Sequence, residues 1–173
     1  MAELASGERL QPALLDRLTD HDPHNKQPEP RETRVINRSR FREGVLRDLA
    51  WLLNATRLSA RGELAGLPHV EASVLNFGLP ALSGETASQL DTLALENGIK
   101  QALQRYEPRI LPSTLEVKAL MRENELDHHN VVSIEIRGTL WAHPLPIELL
   151  LRTDLDLETG EARIHDLGAA GTR

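Results

Sequence analysis

The sequence contains no cysteine, and only five of its 173 residues are aromatic. The absence of cysteine excludes disulfides, thiolate zinc sites, iron–sulfur clusters and cysteine nucleophiles. So few aromatic rings leave the core to aliphatic side chains and offer few surfaces on which bases or sugars could stack. Acidic residues outnumber basic ones by 26 to 20, so the net charge of −6 does not favour binding to a polyanion such as nucleic acid.

The length of 173 residues is typical of about one domain. The first residues include Glu3, Glu8 and Arg9 and no apolar run, so we expect no secretory signal. The longest stretch without a charged side chain, residues 72–84, is shorter than the ~20 apolar residues of a membrane span. We therefore expect a soluble, cytoplasmic protein that does not insert into a membrane.

The pattern of leucine and proline divides the chain. The predicted segments are an N-terminal amphipathic helix (1–19), a polar, proline-containing linker (20–37), one folded domain (38–168) and a short tail (169–173). Four leucines at helical spacing over residues 10–19 carry the helix prediction. A leucine-faced helix on a polar tether suits a docking peptide, and equally a helix that folds back on its own domain.

The folded domain begins with helical patterns and ends with strand patterns. Ser39 is a suitable N-cap for a helix over Arg40–Asn54, and further helices are predicted over Val70–Phe77 and Ser88–Tyr106. The side chains of this last helix expected to face inward are Leu90, Leu93, Ile99, Leu103 and Tyr106. After Pro112, apolar and polar side chains alternate, which is typical of strands covered on one face. The order predicts an α+β domain, with N-terminal helices packed on one face of a small, mostly antiparallel C-terminal sheet.

Charge is distributed unevenly along the chain. Six arginines but only two glutamates lie in residues 31–47. They fit either a solvated approach to the first long helix or a cationic strip that docks an acidic partner. Residues 116–173 hold 6 basic and 11 acidic side chains, a net charge of −5.

Candidate chemistry in the sequence is weak. The histidines at 21, 24, 128 and 129 are predicted to lie in loops, without three or four converging metal ligands. The acidic run Asp154–Gly160 places Thr159 where a calcium loop requires glycine, so it predicts a hairpin turn. Phosphate-binding and nucleophile-elbow motifs are absent. We predict no catalytic, cofactor-binding or metal-binding residues.

The segment Glu107-Pro108-Arg109 has no local structural explanation. Pro108 ends the preceding helix and favours extended geometry at Glu107, which places a negative charge at the negative end of the helix dipole. Residues two apart in an extended stretch point to one side. Glu107 and Arg109 can therefore present a fixed acid–base pair at the surface, on a backbone that Pro108 orders in advance. The residues alone fit equally a simple helix stop with two surface charges.

Three stretches, in this order and spacing, resemble the TssE family, the baseplate wedge subunits of type VI secretion systems. They are residues 42–54 (REGVLRDLAWLLN), 73–80 (SVLNFGLP) and 106–110 (YEPRI). Residues 153–160 and the opening LLDRL at 14–18 are similar to the family's C-terminal hairpin and N-terminal helix. The resemblance covers roughly residues 10–166. The TssE family belongs to a wider family of phage-tail baseplate proteins whose members carry the label "lysozyme-like".

The resemblance implies a non-enzymatic structural subunit without a cofactor, one copy per wedge of a six-fold baseplate at the inner face of the cytoplasmic membrane. The implied partners are TssF, TssG, TssK and the sheath proteins TssB and TssC. Glu107, Pro108 and Arg109 would contact the helical core bundle of TssF and TssG. The edge of the C-terminal sheet would receive strands of the first sheath ring and so start assembly of the contractile sheath.

Two other readings of the resemblance remain open. The label "lysozyme-like" fits a phage-type muralytic hydrolase, which a peptidoglycan-release assay separates from an adaptor. The fold also fits an anti-adaptor or a wedge protein of a phage-derived contractile particle, which neighbouring genes for a secretion ATPase, a sheath and TssK would disfavour.

Overall fold

The computed structural model describes residues 10–19, 24, 35–58, 64, 66–82, 90–120, 130–143 and 145–168. Its helices are α1 (Leu14–Leu18), α2 (Arg38–Asn54), α3 (Pro68–Glu71) and α4 (Thr92–Tyr106). Its strands are β1 (Glu116–Leu120), β2 (Val131–Leu140), β3 (Ile147–Asp156) and β4 (Ala162–Asp166). The predicted α+β class is confirmed. Among the described helices, none has the length and apolar character that crossing a membrane requires.

The four described strands form one antiparallel sheet in the order β1-β2-β3-β4, so each strand pairs with the next along the chain. Its register places apolar side chains together on one face, as where Ile136 pairs with Leu151. The other face is charged, and Glu135 lies between Lys118 and Arg152 of the neighbouring strands. The predicted alternation is therefore confirmed: one face meets the core and the other meets solvent.

Helix α2 supplies much of the core, because its apolar side chains recur every three or four residues. The buried members of this stripe are Phe41, Val45, Leu49, Leu52 and Leu53. The N-cap prediction was wrong by two residues. Asn37 caps the helix, since its Oδ1 accepts a hydrogen bond of 2.8 Å from the Arg40 N–H, while the hydroxyl of Ser39 donates to Glu43. Asn and Ser have similar N-cap preferences, so sequence alone does not separate them.

Helix α4 as described begins at Thr92, with Asp91 as its N-cap, and Ser88 lies outside the described residues. The prediction that Leu93 faces inward was wrong, because its side chain is 66% exposed. Ile99 and Leu103 are buried as predicted, and Leu95 takes the place of Leu93 in a stripe whose members lie one helical turn apart. Leu93 lies two positions from Leu95 and therefore points to the opposite side of the helix.

The N-terminal helix is shorter than predicted. It covers Leu14–Leu18 only, while Leu10 is buried and forms an antiparallel bridge with Ile36, with backbone hydrogen bonds of 3.1 and 2.9 Å. The segment therefore contacts its own domain. The linker prediction for residues 20–34 falls outside the described residues except at His24, as do the 169–173 tail and the histidines at 21, 128 and 129. The division of the chain stays a prediction.

Helix α2 holds strand β4 at both ends. The Asn54 amide accepts from the Ala162 N–H at 2.9 Å and donates to the Ala162 carbonyl at 3.0 Å, as a neighbouring strand would. Arg42 forms two hydrogen bonds with the Asp166 carboxylate, at 2.7 and 2.5 Å. Arg42, one of the arginines of residues 31–47, is therefore bound within the fold. It belongs neither to a fully solvated approach nor to a free cationic strip.

The predicted hairpin turn between β3 and β4 is present. The Asp156 carboxylate accepts from the backbone N–H groups of Glu158 and Thr159, at 2.8 and 3.1 Å. These donors hold the pKa of Asp156 below its ordinary value. Gly160 completes the turn with a φ of 76°, which favours glycine.

One buried hydroxyl on the core face of β3 gives a stability prediction. Among the described residues, Thr153 Oγ1 is buried without a hydrogen-bond partner. Thr153→Val keeps the shape and removes this cost, so it should raise the free energy of unfolding by about 1 kcal/mol in urea titrations. The control is Thr114→Val, which should be destabilising because that hydroxyl donates to the Leu111 carbonyl and accepts from the Thr139 N–H. A Thr153→Val chain that is no more stable than the parent would contradict the prediction.

Candidate functional site

Helix α4 ends in a tight turn at Glu107-Pro108-Arg109. Glu107 is the C-cap residue of α4, and the Ile110 N–H donates to the Glu107 carbonyl at 3.2 Å. The extended geometry expected from the sequence is therefore wrong for this segment. Proline is favoured at the second position of such a turn, because its fixed φ matches the φ required there.

The predicted acid–base pair forms, but Glu107 is buried rather than displayed. Its residue is 3% exposed, and its carboxylate accepts from Arg109 Nε at 2.7 Å and Nη2 at 2.5 Å. The Arg109 backbone N–H donates to the same carboxylate at 3.1 Å. A buried carboxylate requires such charge-assisted donors, because without them its desolvation would destabilise the fold.

Arg109 connects the end of α4 to α2. Its Nη2 also donates to Asp48 Oδ2 at 2.6 Å. Burial acts to lower the pKa of the guanidinium, but the hydrogen bonds and charges of Glu107 and Asp48 outweigh burial and raise the pKa above its ordinary value. Arg109 is therefore a permanent cation between two carboxylates, one of which, Asp48, lies 61 positions earlier in the sequence.

The network of ion pairs around Arg109 continues from Asp48 to α1. Arg47 donates to Asp48 Oδ1 at 2.9 and 2.8 Å and to Asp16 Oδ1 at 2.5 Å. Its guanidinium also lies 5.2 Å from the centre of the Trp51 ring, within cation–π range. The sequence did not predict these roles, because Arg47 was considered only as one of the arginines of residues 31–47. Nothing in the local pattern indicates which distant carboxylate it would meet.

An apolar groove of about 840 Å³ opens beside this network of ion pairs. Its walls come from α1 and its approach, α2, the Glu107–Arg109 turn and the segment after β2. The principal lining residues are Leu15, Phe41, Trp51, Phe77, Tyr106, Pro108 and Trp141. The two tryptophan rings are the most exposed aromatic side chains there, with Trp141 67% exposed and Trp51 54%.

The three stretches that carried the family resemblance meet at this groove. The second stretch is fixed against the end of α4, because the Tyr106 hydroxyl bonds to the carbonyls of Ser73 and Asn76 at 3.0 and 2.8 Å. The Phe77 and Tyr106 rings also pack edge to face, with centroids 5.2 Å apart. Residues distant in sequence thus form one surface.

The groove is suited to packing against another apolar surface. Asp48, Glu107 and Arg109, the acidic and basic side chains that line it besides His143, are paired with one another, and Asp48 also pairs with Arg47. Within the described ranges, no group of three or more His, Cys, Asp or Glu side chains is placed to hold a metal ion. An exposed apolar surface with tryptophan at its rim has the composition of a protein-binding site.

Comparison with known families identifies the class of protein. The family model described as baseplate wedge protein gp25 matches residues 39–145, more than half of the 173-residue chain. The chain belongs to this family, which confirms the resemblance at family level and supports a structural role in a phage-tail-like baseplate. Searches among curated proteins and among solved structures gave no match.

The burial of Glu107 gives a prediction about stability. Arg109→Ala should lower the free energy of unfolding by about 3–5 kcal/mol, because it leaves a buried carboxylate without its cation. Denaturant unfolding measures the change. Arg163→Ala is the matched control, since Arg163 also pairs with a glutamate two residues before it but both side chains are exposed. If the two variants lost equal stability, burial of Glu107 would not be the cause.

Proposed function

We propose that the protein is a non-enzymatic wedge subunit of a type VI secretion baseplate and binds the TssF–TssG core bundle through the groove beside Glu107, Pro108 and Arg109. The observation that carries the proposal is the position of this turn. The three residues line the same apolar groove as Trp51 and Trp141, in a chain of the gp25 family. The proposal includes a cytoplasmic location at the inner face of the membrane, with TssK nearby.

In this proposal the three residues of the turn have different roles. Glu107 is buried and fixes Arg109, and Arg109 fixes the turn to Asp48 on α2. Pro108 is exposed and presents an apolar surface with a rigid backbone. The partner therefore contacts Pro108 and the tryptophan rings, while the acid–base pair holds them in position.

A variant at the groove rim tests binding without disturbing the fold. Trp141→Ala should weaken the Kd for the purified TssF–TssG complex about tenfold or more, because large aromatic side chains dominate the energy of such interfaces. Isothermal titration calorimetry measures the Kd, and circular dichroism checks the fold. Leu93→Ala is the control, since Leu93 is 66% exposed against 67% for Trp141 but lies near the other end of α4 from Tyr106.

Unchanged binding by Trp141→Ala would rule out the groove as the TssF–TssG site. Substitution of Glu107 is less informative, because the loss of a buried group changes stability and binding together. The alternative hydrolase is disfavoured by the commitment of both groove carboxylates, Asp48 and Glu107, to one guanidinium. Muropeptide release by the purified chain would overturn the non-enzymatic part of the proposal.

The outer edge of β1 is the proposed contact with the sheath. An incoming TssB–TssC strand would pair with this edge and so start sheath assembly by β-augmentation. On β4, α2 already occupies Ala162 through Asn54 and holds Asp166 through Arg42. On β1, among the described residues, one backbone group is occupied from α4, where Glu96 Oε1 accepts from the Ala119 N–H at 2.7 Å. Releasing this single hydrogen bond disturbs fewer contacts than releasing Asn54, which makes two hydrogen bonds with Ala162, together with Arg42.

Amide hydrogen exchange can identify the edge. Val117 and Ile164 lie two residues from the capped Ala119 and Ala162, so their N–H groups also point away from the sheet. Adding purified TssB–TssC should slow exchange at Val117 and leave Ile164 unchanged, as observed by NMR. Slowing at Ile164 alone would move the site to β4, and no slowing at either edge would contradict strand addition.

A further inference from the structure

The short helix α1 leaves its leucines uncovered. Leu14 and Leu18, one turn apart on the same face, are 71% and 74% exposed. A helix of five residues is far below the ~12 needed for stability in water by itself. Its conformation therefore depends on contacts with the domain, yet those contacts leave the leucine face free.

The contacts that hold α1 lie at its edges. Before the helix, Leu10 is buried and bridged to Ile36. Within it, Asp16 pairs with Arg47 and lies so close to α2 that a Cβ on Gly44 would be 3.3 Å from Asp16 Oδ2. Glycine at position 44 thus leaves room for the Asp16 carboxylate against α2, and these contacts hold α1 on its own domain.

The leucine face adjoins the groove. Leu10, Ala13 and Leu15 line the same cavity as Trp51 and Trp141, and Leu14 and Leu18 lie beside Leu15 on the surface of the same short helix. The ion pairs Asp16–Arg47 and Asp48–Arg109 tie this wall to the Glu107 turn. A partner that enters the groove therefore contacts residues of α1 as well as the tryptophan rings.

We propose that α1 is a fixed second wall of the docking groove and that Leu14 and Leu18 become buried against the apolar face of a partner helix. Asp48, Glu107 and Arg109, which line the groove, are already paired with one another, so an apolar face is the complementary one. A helix presents apolar side chains along one stripe, as a groove between α1 and α2 requires. The inference rests on the proposed function, because it assigns new residues to the TssF–TssG contact.

Leucine variants test the wall. Leu14→Ser and Leu18→Ser should each weaken the Kd for the purified TssF–TssG complex about tenfold, which corresponds to the loss of one buried leucine contact. Leu93→Ser, at a leucine of similar exposure on α4, should leave the Kd unchanged. Normal binding by both leucine variants, while Trp141→Ala is impaired, would overturn the role of α1 alone. Normal binding by Leu14→Ser, Leu18→Ser and Trp141→Ala would overturn the proposed function as well.

A reversible lock tests whether the wall stays in place. The chain has no cysteine, so Leu10→Cys/Ile36→Cys introduces one candidate disulfide. Residues that exchange two backbone hydrogen bonds have Cα atoms about 5.5 Å apart, within the range for a disulfide. The oxidised form should bind at least as tightly as the reduced form. Loss of binding on oxidation alone would mean that α1 must leave the groove and would overturn the fixed wall. If the oxidised and reduced forms both failed to bind, the leucine variants, which keep the bridge between Leu10 and Ile36, would decide the role of α1.

Discussion

The burial of one carboxylate at the C-terminal end of α4 constrains the whole groove. Glu107 lies where the helix dipole and the loss of water both disfavour a negative charge, so it requires a cation at a fixed position. The turn at Pro108 brings Arg109 back onto it. Because the same guanidinium also binds Asp48, the geometry that satisfies Glu107 also sets the distance between α4 and α2.

From this constraint follows a division of labour between charge and apolar surface. The paired charges run from Glu107 through Arg109, Asp48 and Arg47 to Asp16, and they position the turn, α2 and α1 relative to one another. The apolar side chains between these elements are then held apart instead of collapsing together. An open groove with exposed tryptophan is unfavourable for an isolated domain, and it is maintained here by electrostatic contacts at its borders.

The sequence predicted the features that depend on periodicity and missed those that depend on tertiary pairing. The apolar stripe of α2 and the alternation of the strands follow from repeats of about 3.6 and two residues, so both were recognised. Leu93 was misassigned because several apolar residues compete for one helix face, and the packed face of α4 contains Leu95 and not Leu93. Glu107 was placed at the surface because its burial depends on Asp48, 59 positions away, and on a turn that the extended geometry before proline did not suggest.

Helix α2 links the two proposed contact regions mechanically. Its seventeen residues span about 25 Å. Arg42 and Asn54 hold β4 of the sheet, while Asp48 holds the groove through Arg109. A partner that pulls on the groove therefore pulls on the same rigid element that fixes one edge of the sheet. Because β1 and β4 lie at opposite edges of that sheet, a strand added at β1 leaves the attachment to α2 intact. In the proposed role between a wedge and a sheath, binding at the groove and strand addition at β1 therefore both leave the contacts of α2 with β4 in place.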